Sequence, residues 1–247
     1  MATAIAALVV FALFTGGLIA VVVARNTRRV AEEDLTFDGV DRVEIEIDSG
    51  SVRVVARESP NVLVRRRVQY GRRRPATSET RAGTTLRITA APPRGPLQGW
   101  WWIDHVLAVP AGTEVQARTA AGPMAVEGVR GAVDLTSNAG RITVHDCAGA
   151  LALHSDAGSI EVDGARSKSV TAHTDAGHVK LAFVDAPDDV DATSSGGAVE
   201  IALPGGPYRV DASADAGRRE VAIATAPDAA RSVHAHSDAG SVRVVGA

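Results

Sequence analysis

The 247-residue sequence predicts an all-β protein: a repeat β-solenoid, β-helix-like, with an N-terminal β-meander cap, preceded by one transmembrane helix. Three observations predict it. Residues 2–24 carry no charge, a short Ser-Asp-Ala-Gly motif recurs at near-constant spacing, and apolar and polar residues alternate on both sides of its glycines. Composition agrees, because 45% of the residues are apolar but only 2 Tyr, 4 Phe and 3 Trp are present, so small aliphatics must build the core. Cys147 is the single cysteine, so neither an intramolecular disulfide nor a cysteine-based metal cluster can form within one chain.

The first segment, residues 1–25, is read as a transmembrane helix. At about 1.5 Å per residue, the run 4–24 crosses a hydrocarbon layer of ~30 Å. The lipid bilayer is therefore an expected partner, through residues 4–24. A cleaved signal peptide with a Val22-x-Ala24 end is the competing reading; the run exceeds the roughly 7 to 15 residues of a signal h-region, and no basic stretch precedes it. Arg25, Arg28 and Arg29 come directly after the span, which by the positive-inside rule keeps the remainder of the chain in the cytoplasm. Residues 26–35 are read as a juxtamembrane linker.

Residues 36–110 are read as the cap. Val43, Ile45 and Ile47 alternate before Gly50, with Val52 and Val54 after it, an isolated copy of the later motif. Candidate strands stand at 62–70, 85–89 and 103–109, separated by Arg, Gly and Pro-rich turns. A cap is expected because an open coil exposes an unpaired edge.

Residues 111–247 hold about seven repeats of ~19 residues, among them TSNAGRITV, HSDAGSIEV, HTDAGHVKL, TSSGGAVEI, SADAGRREV and HSDAGSVRV. Their glycines are Gly122, Gly140, Gly158, Gly177, Gly197, Gly217 and Gly240, spaced 18, 18, 19, 20, 20 and 23 residues apart. Seven and five residues before each glycine stand aliphatics such as Val133 and Leu135; two and four after it stand others such as Ile142 and Val144. Arg219 is the exception, an arginine in a slot expected to point inward. Each unit thus reads as two short strands around a corner, where Asp or Asn caps through its side chain and Gly takes a left-handed conformation. A three-residue hairpin loop would pair Leu153 with Glu161 and break the pattern, whereas stacked coils ~4.8 Å apart preserve it, giving a rod of ~29 Å over six steps.

Charge divides along the chain: residues 25–94 sum to +5, residues 111–247 to −7, and the whole to −3. A pI near 6.2 without aromatics among the basic residues excludes a nucleic-acid partner. Four groups are weighed as sites. Arg65, Arg66, Arg67, Arg72, Arg73 and Arg74 flank a turn at Gly71 and suit anionic lipid or cell-wall polymer, or simply a solvated edge strand that resists aggregation. Trp100, Trp101 and Trp102 alternate in a strand, so one enters the core and one faces out, where a tryptophan can meet the bilayer interface or stack on a sugar. His154, His173 and His236, with Asn138, Asp156, Asp175, Asp215 and Asp238, form ladders on the outer surface. A calcium or zinc ladder is weighed against turn capping, which explains the Asp positions, and neither metal nor cofactor is expected. Cys147 reads as an inert small side chain near a turn. GxSxG, HExxH and P-loop motifs are absent from the sequence and ~19-residue coils leave little to shape a cleft, so no catalytic residue is assigned.

The strings TFDGVDRVEI, the SDAGSVRVV-type units and LPGGPYRVDASADAG resemble the DUF4097 class of bacterial adhesin-like proteins built from DAG or SAG β-strand repeats, especially membrane-tethered actinobacterial members. The resemblance covers residues 36–247. It implies an all-β repeat domain displayed from the cell envelope, without known catalytic residues; some relatives sit in envelope-stress modules. Beside the bilayer, the expected partner is an unidentified protein or cell-wall polymer ligand. Arg-rich, Lys-poor usage fits a GC-rich genome. Two functions are expected from it: a membrane-anchored, non-catalytic adhesin-like module outside the cell, or a cytoplasmic or membrane-proximal scaffold of an envelope-stress system.

Overall fold

The computed structural model describes residues 29–93 and 99–247, and every regular element among them is a strand. The expected membrane span lies outside the described residues, and within them no helix is long and apolar enough to cross a membrane. Six strands come first: β1 (Arg29–Asp38), β2 (Arg42–Arg57), β3 (Asn61–Tyr70), β4 (Ala76–Ala82), β5 (Thr85–Ala91) and β6 (Trp101–Pro110). Seven pairs come next, each split by one motif glycine: β7 and β8 (Glu114–Ala121, Met124–Glu127), β9 and β10 (Val133–Ala139, Ile142–His145), β11 and β12 (Leu151–Ala157, Ile160–Ala165), and β13 and β14 (Ser169–Ala176, Val179–Phe183). The last three pairs are β15 and β16 (Asp189–Ser194, Val199–Leu203), β17 and β18 (Arg209–Ala214, Arg219–Ala222), and β19 and β20 (Ser232–Ser237, Val242–Gly246).

The strands build a parallel solenoid of two facing sheets. Strands before the corners stack in the order β5, β2, β7, β9, β11, β13, β15, β19, β17. Strands after the corners stack as β6, β2, β8, β10, β12, β14, β16, β20, β18. The long β2 bends at Gly50 and serves both sheets. Nine coils therefore replace the seven expected, and eight steps of ~4.8 Å make a stack of ~38 Å. The isolated copy and the 85–110 segment are coils, while β3 and β1 on one sheet and β4 on the other add antiparallel and close the first end. The sequence pattern does not reveal β4, and β1 begins inside the expected linker.

Chain order and stack order differ at both ends. β2 lies between the β5–β6 coil and β7–β8, although it precedes both; β19–β20, last in the chain, lies between β15–β16 and β17–β18. The last level is thus the Gly217 coil. Arg219 there is exposed, and Val210 and Val221 are only half-buried. The arginine in an inward slot is explained: among the described residues no further coil covers it.

The inward columns are as the alternation predicts, with Val115, Val133, Leu151, Val170, Val190 and Val233 in one and Ile142, Ile160, Val179, Val199 and Val242 in another, all buried. The alternation does not anticipate a third buried column. Three residues before the glycines stand Thr119, Ser137, Ser155, Thr174, Ser194 and Ser237, and the last four donate their hydroxyls to the glycine carbonyl of the coil below, at 3.4, 2.8, 2.8 and 2.8 Å. These bonds satisfy polar groups that burial would otherwise penalise.

The glycine corner works differently from the expectation. Among the repeat glycines only Gly50 and Gly122 have a positive φ (150° and 129°). At the others the constraint is contact: a Cβ on Gly158 would lie 2.0 Å from the Gly140 carbonyl oxygen, and one on Gly177 2.3 Å from that of Gly158. Corner N–H groups bond to the next coil, as Gly158 N–H does to Ala176 at 3.0 Å, so Asp is not needed to cap them. Cys147 is wholly buried between return loops, and burial raises its thiol pKa, consistent with an inert side chain.

Candidate binding surface

The arginine run does not form a free basic patch. On β3 the side chains alternate, so Arg65 and Arg67 face out while Arg66, only 4% exposed, turns inward. The antiparallel register of β1 sets Asp34 opposite Arg65, Glu33 opposite Arg66 and Glu32 opposite Arg67. Arg65 makes a two-pronged bond to Asp34 (3.0 and 3.3 Å), and Arg67 Nε lies 3.7 Å from Glu32. Arg66 pairs with Glu33 and, across the interior, with Glu79 of β4; Arg74 also reaches Glu33. The Arg66 and Arg74 guanidiniums hold the Glu33 carboxyl below its ordinary range. β3 is not an edge strand, because the acidic β1 lies outside it; those acids fall in the segment read as linker, which hid the pairing from the sequence. Arg72 and Arg73 are exposed in the turn after β3.

The tryptophans divide as alternation requires. Trp101 packs against the core, while Trp102 donates its Nε1–H to Asp104 Oδ1 at 2.7 Å. Ser51 donates to the same oxygen at 2.6 Å and Gln69 Nε2 to the other at 3.2 Å, so three donors hold one carboxylate in place. Trp100 is 41% exposed beside Gly71, whose N–H donates to its carbonyl at 3.1 Å. Next to this cluster an open groove of ≈ 720 Å³ is lined by Glu32, Glu33, Asp34, Arg65, Arg67, Asp104 and Val106. Its charges alternate in sign across the paired strands β1, β3 and β6, an arrangement suited to hydrogen-bonding a neutral or zwitterionic polar ligand rather than attracting a polyanion. The sequence does not single out Asp104, Ser51 or Gln69; they converge only when β2, β3 and β6 lie side by side.

One residue beyond Asp104, His105 turns inward. It is completely buried, neither ring nitrogen has a hydrogen-bond partner among the described residues, and burial, then the nearby Arg66 charge, lowers its pKa to about 4.

On the opposite sheet the outward ladder forms as the repeat predicts. His154 and His173 stack at 5.2 Å with planes 5° apart. Nε2 of His154, His173 and His236 lies 3.0, 3.0 and 2.7 Å from Asp156, Asp175 and Asp238, two residues on.

A family model described as Toastrack DUF4097 matches residues 107–244, more than half of the chain. No curated protein matches it. Among solved structures, a proposed cell adhesion protein of Clostridium sporogenes is 10% identical with a TM-score of 0.41, covering 89% of this chain and 100% of its own. A proposed adhesin of Bacteroides fragilis is 10% identical at 0.44 (90% and 99%), and one of Parabacteroides distasonis 11% identical at 0.46 (88% and 97%).

Proposed function

Because the chain belongs to the Toastrack DUF4097 family, we propose that it is a membrane-anchored, non-catalytic adhesin-like module, tethered by residues 4–24, whose β-solenoid presents a binding or structural surface in the cell envelope. One observation carries this reading: the interior is filled with aliphatic side chains, while β2, β3 and β6 converge to hold Asp104 by hydrogen bonds from Trp102, Gln69 and Ser51 beside a groove of paired charges. A fixed surface of this kind binds without reorganising, which lowers the entropic cost of association. Its ligand is a protein or a cell-wall polymer rich in hydrogen-bonding groups.

A cytoplasmic or membrane-proximal scaffold of an envelope-stress system is the second reading, favoured by Arg25, Arg28 and Arg29 immediately after the span. Protease shaving of intact cells carrying a C-terminally tagged copy, with lysed cells as control, separates the two. Loss of the tag from intact cells supports an external module; protection until lysis overturns it and supports the scaffold. With the side known, Asp104→Asn should weaken retention on isolated cell-wall polymer, measured well below the melting temperature, and should lower thermal stability by about 1.5–3 kcal/mol because one of its three donors is left facing an amide.

A further inference from the structure

We propose that Asp215, His236 and Asp238 form a binding site for a divalent transition-metal ion of the zinc class. The exchange of the last two coils creates it. In chain order Asp215 would stack against Ser195; in the structure β17 lies on β19, and Ala214 faces Ser237, which sets Asp215 beside Asp238. Asp215 N–H donates to Ser237 O at 3.0 Å and Ala216 N–H to Asp238 O at 2.9 Å, so the backbone fixes the two carboxylates side by side. One ligand atom from each of the three residues lies within 4.8 Å of the others.

The imidazole is already oriented. His236 Nδ1 is 2.7 Å from Ser213 Oγ on β17, while Nε2 points to Asp238 Oδ1 at 2.7 Å. The Ser213 hydroxyl thus fixes the ring from the Nδ1 side and leaves Nε2 facing the carboxylates, and a partner on the second ring nitrogen is what orients a metal-binding histidine. The chain contains its own comparison. His173 has the same partners, Thr193 on Nδ1 and Asp175 on Nε2, yet among the described residues only the His236 level forms such a three-ligand group. A ring nitrogen with two carboxylates suits zinc with a water in the fourth position better than calcium, which takes six to eight oxygens. The site does not depend on the side of the membrane or on the ligand proposed above.

The test is calorimetric titration of tag-free, metal-stripped full-length protein in detergent with zinc chloride near neutral pH, and with calcium chloride in parallel. One saturable zinc per chain is expected, lost in Asp215→Asn and in His236→Gln, retained in Asp175→Asn, and weakened about tenfold in Ser213→Ala. Thermal melts of the metal-free variants should match the parent, because all three ligands project from the surface. No saturable zinc binding, zinc binding that survives both ligand variants, equal loss in Asp175→Asn, or calcium binding as tight as zinc would each overturn the site.

Discussion

Gly158 has no room for a methyl group. Its Cβ would stand 2.0 Å from a backbone oxygen of the coil beneath, so the two coils would have to separate. Gly158→Ala is therefore expected to cost about 3 kcal/mol, the upper end for overpacking, whereas Gly112→Ala, with nothing within 4 Å, should be neutral in the same thermal melt. The sequence shows these glycines clearly, but not why they are glycines: spacing reveals that a corner recurs, whereas the steric reason lies in the carbonyl of another coil. His105 is not legible at all, since one polar residue in an apolar strand looks like an outward position. Its folded pKa of about 4 lies below the unfolded 6.5, so the unfolded chain binds the extra proton between those values. Stability is full above pH 6.5 and falls as the pH drops toward 4, by up to ~3 kcal/mol. Glu33, held low chiefly by Arg66, also destabilises on acidification, so the informative comparison is with His105→Leu. That variant should lose less stability between neutral pH and pH 4 in denaturant titrations; parallel profiles would overturn this by showing that the imidazole takes up its proton equally in the folded and unfolded chain.

Strands and corners are readable because period-two alternation and a fixed repeat length are local properties, and the observed β9 to β16 obey them closely. Stacking order is not, because every coil offers nearly the same edge to every other. Signs of the exchange exist in hindsight: the Gly217 unit has Ala214 where other units carry Ser or Thr, and Arg219 where they carry an aliphatic. Those substitutions suit a coil with a neighbour on one side only. The consequence can be measured with two aspartates. Val244 is wholly buried, with Ile201 on one side and Val221 on the other; Val221 is half-buried on the terminal strand. Val244→Asp should unfold the C-terminal coils at a cost of several kcal/mol, as a buried unpaired charge does, and Val199→Asp likewise. Val221→Asp should cost about 1 kcal/mol, and Arg219→Val should be neutral because that side chain is already in solvent. A stack in chain order requires the reverse, with Val244 in the tolerant outer coil.

In the whole molecule the two ends are closed by different means. At the first end β1, β3 and β4 lay antiparallel strands over the opening, and Arg66 joins the sheets through Glu33 and Glu79. At the other, β17 and β18 leave their outer edges unpaired among the described residues; Arg209, Asp211, Arg219 and Glu220 line them, charges that discourage another strand from adding. Which end receives a real cap is only half legible: the meander strands suggest one, but the acidic β1 is hidden in an apparent linker. In a linear stack each coil is held by its nearest neighbours, so stability should grade along the rod. Amide hydrogen exchange by mass spectrometry tests this on the intact protein. Protection should peak in β11 to β16, stay high in β19 and β20 although they end the chain, and be lowest in β17 and β18, which precede them. The order is diagnostic, because fraying from a chain terminus would release 232–246 first, whereas fraying from the end of the stack releases 209–222 first. If the last strands exchange before the Gly217 coil, the C-terminal exchange of coils is wrong, and with it the juxtaposition of Asp215 and Asp238.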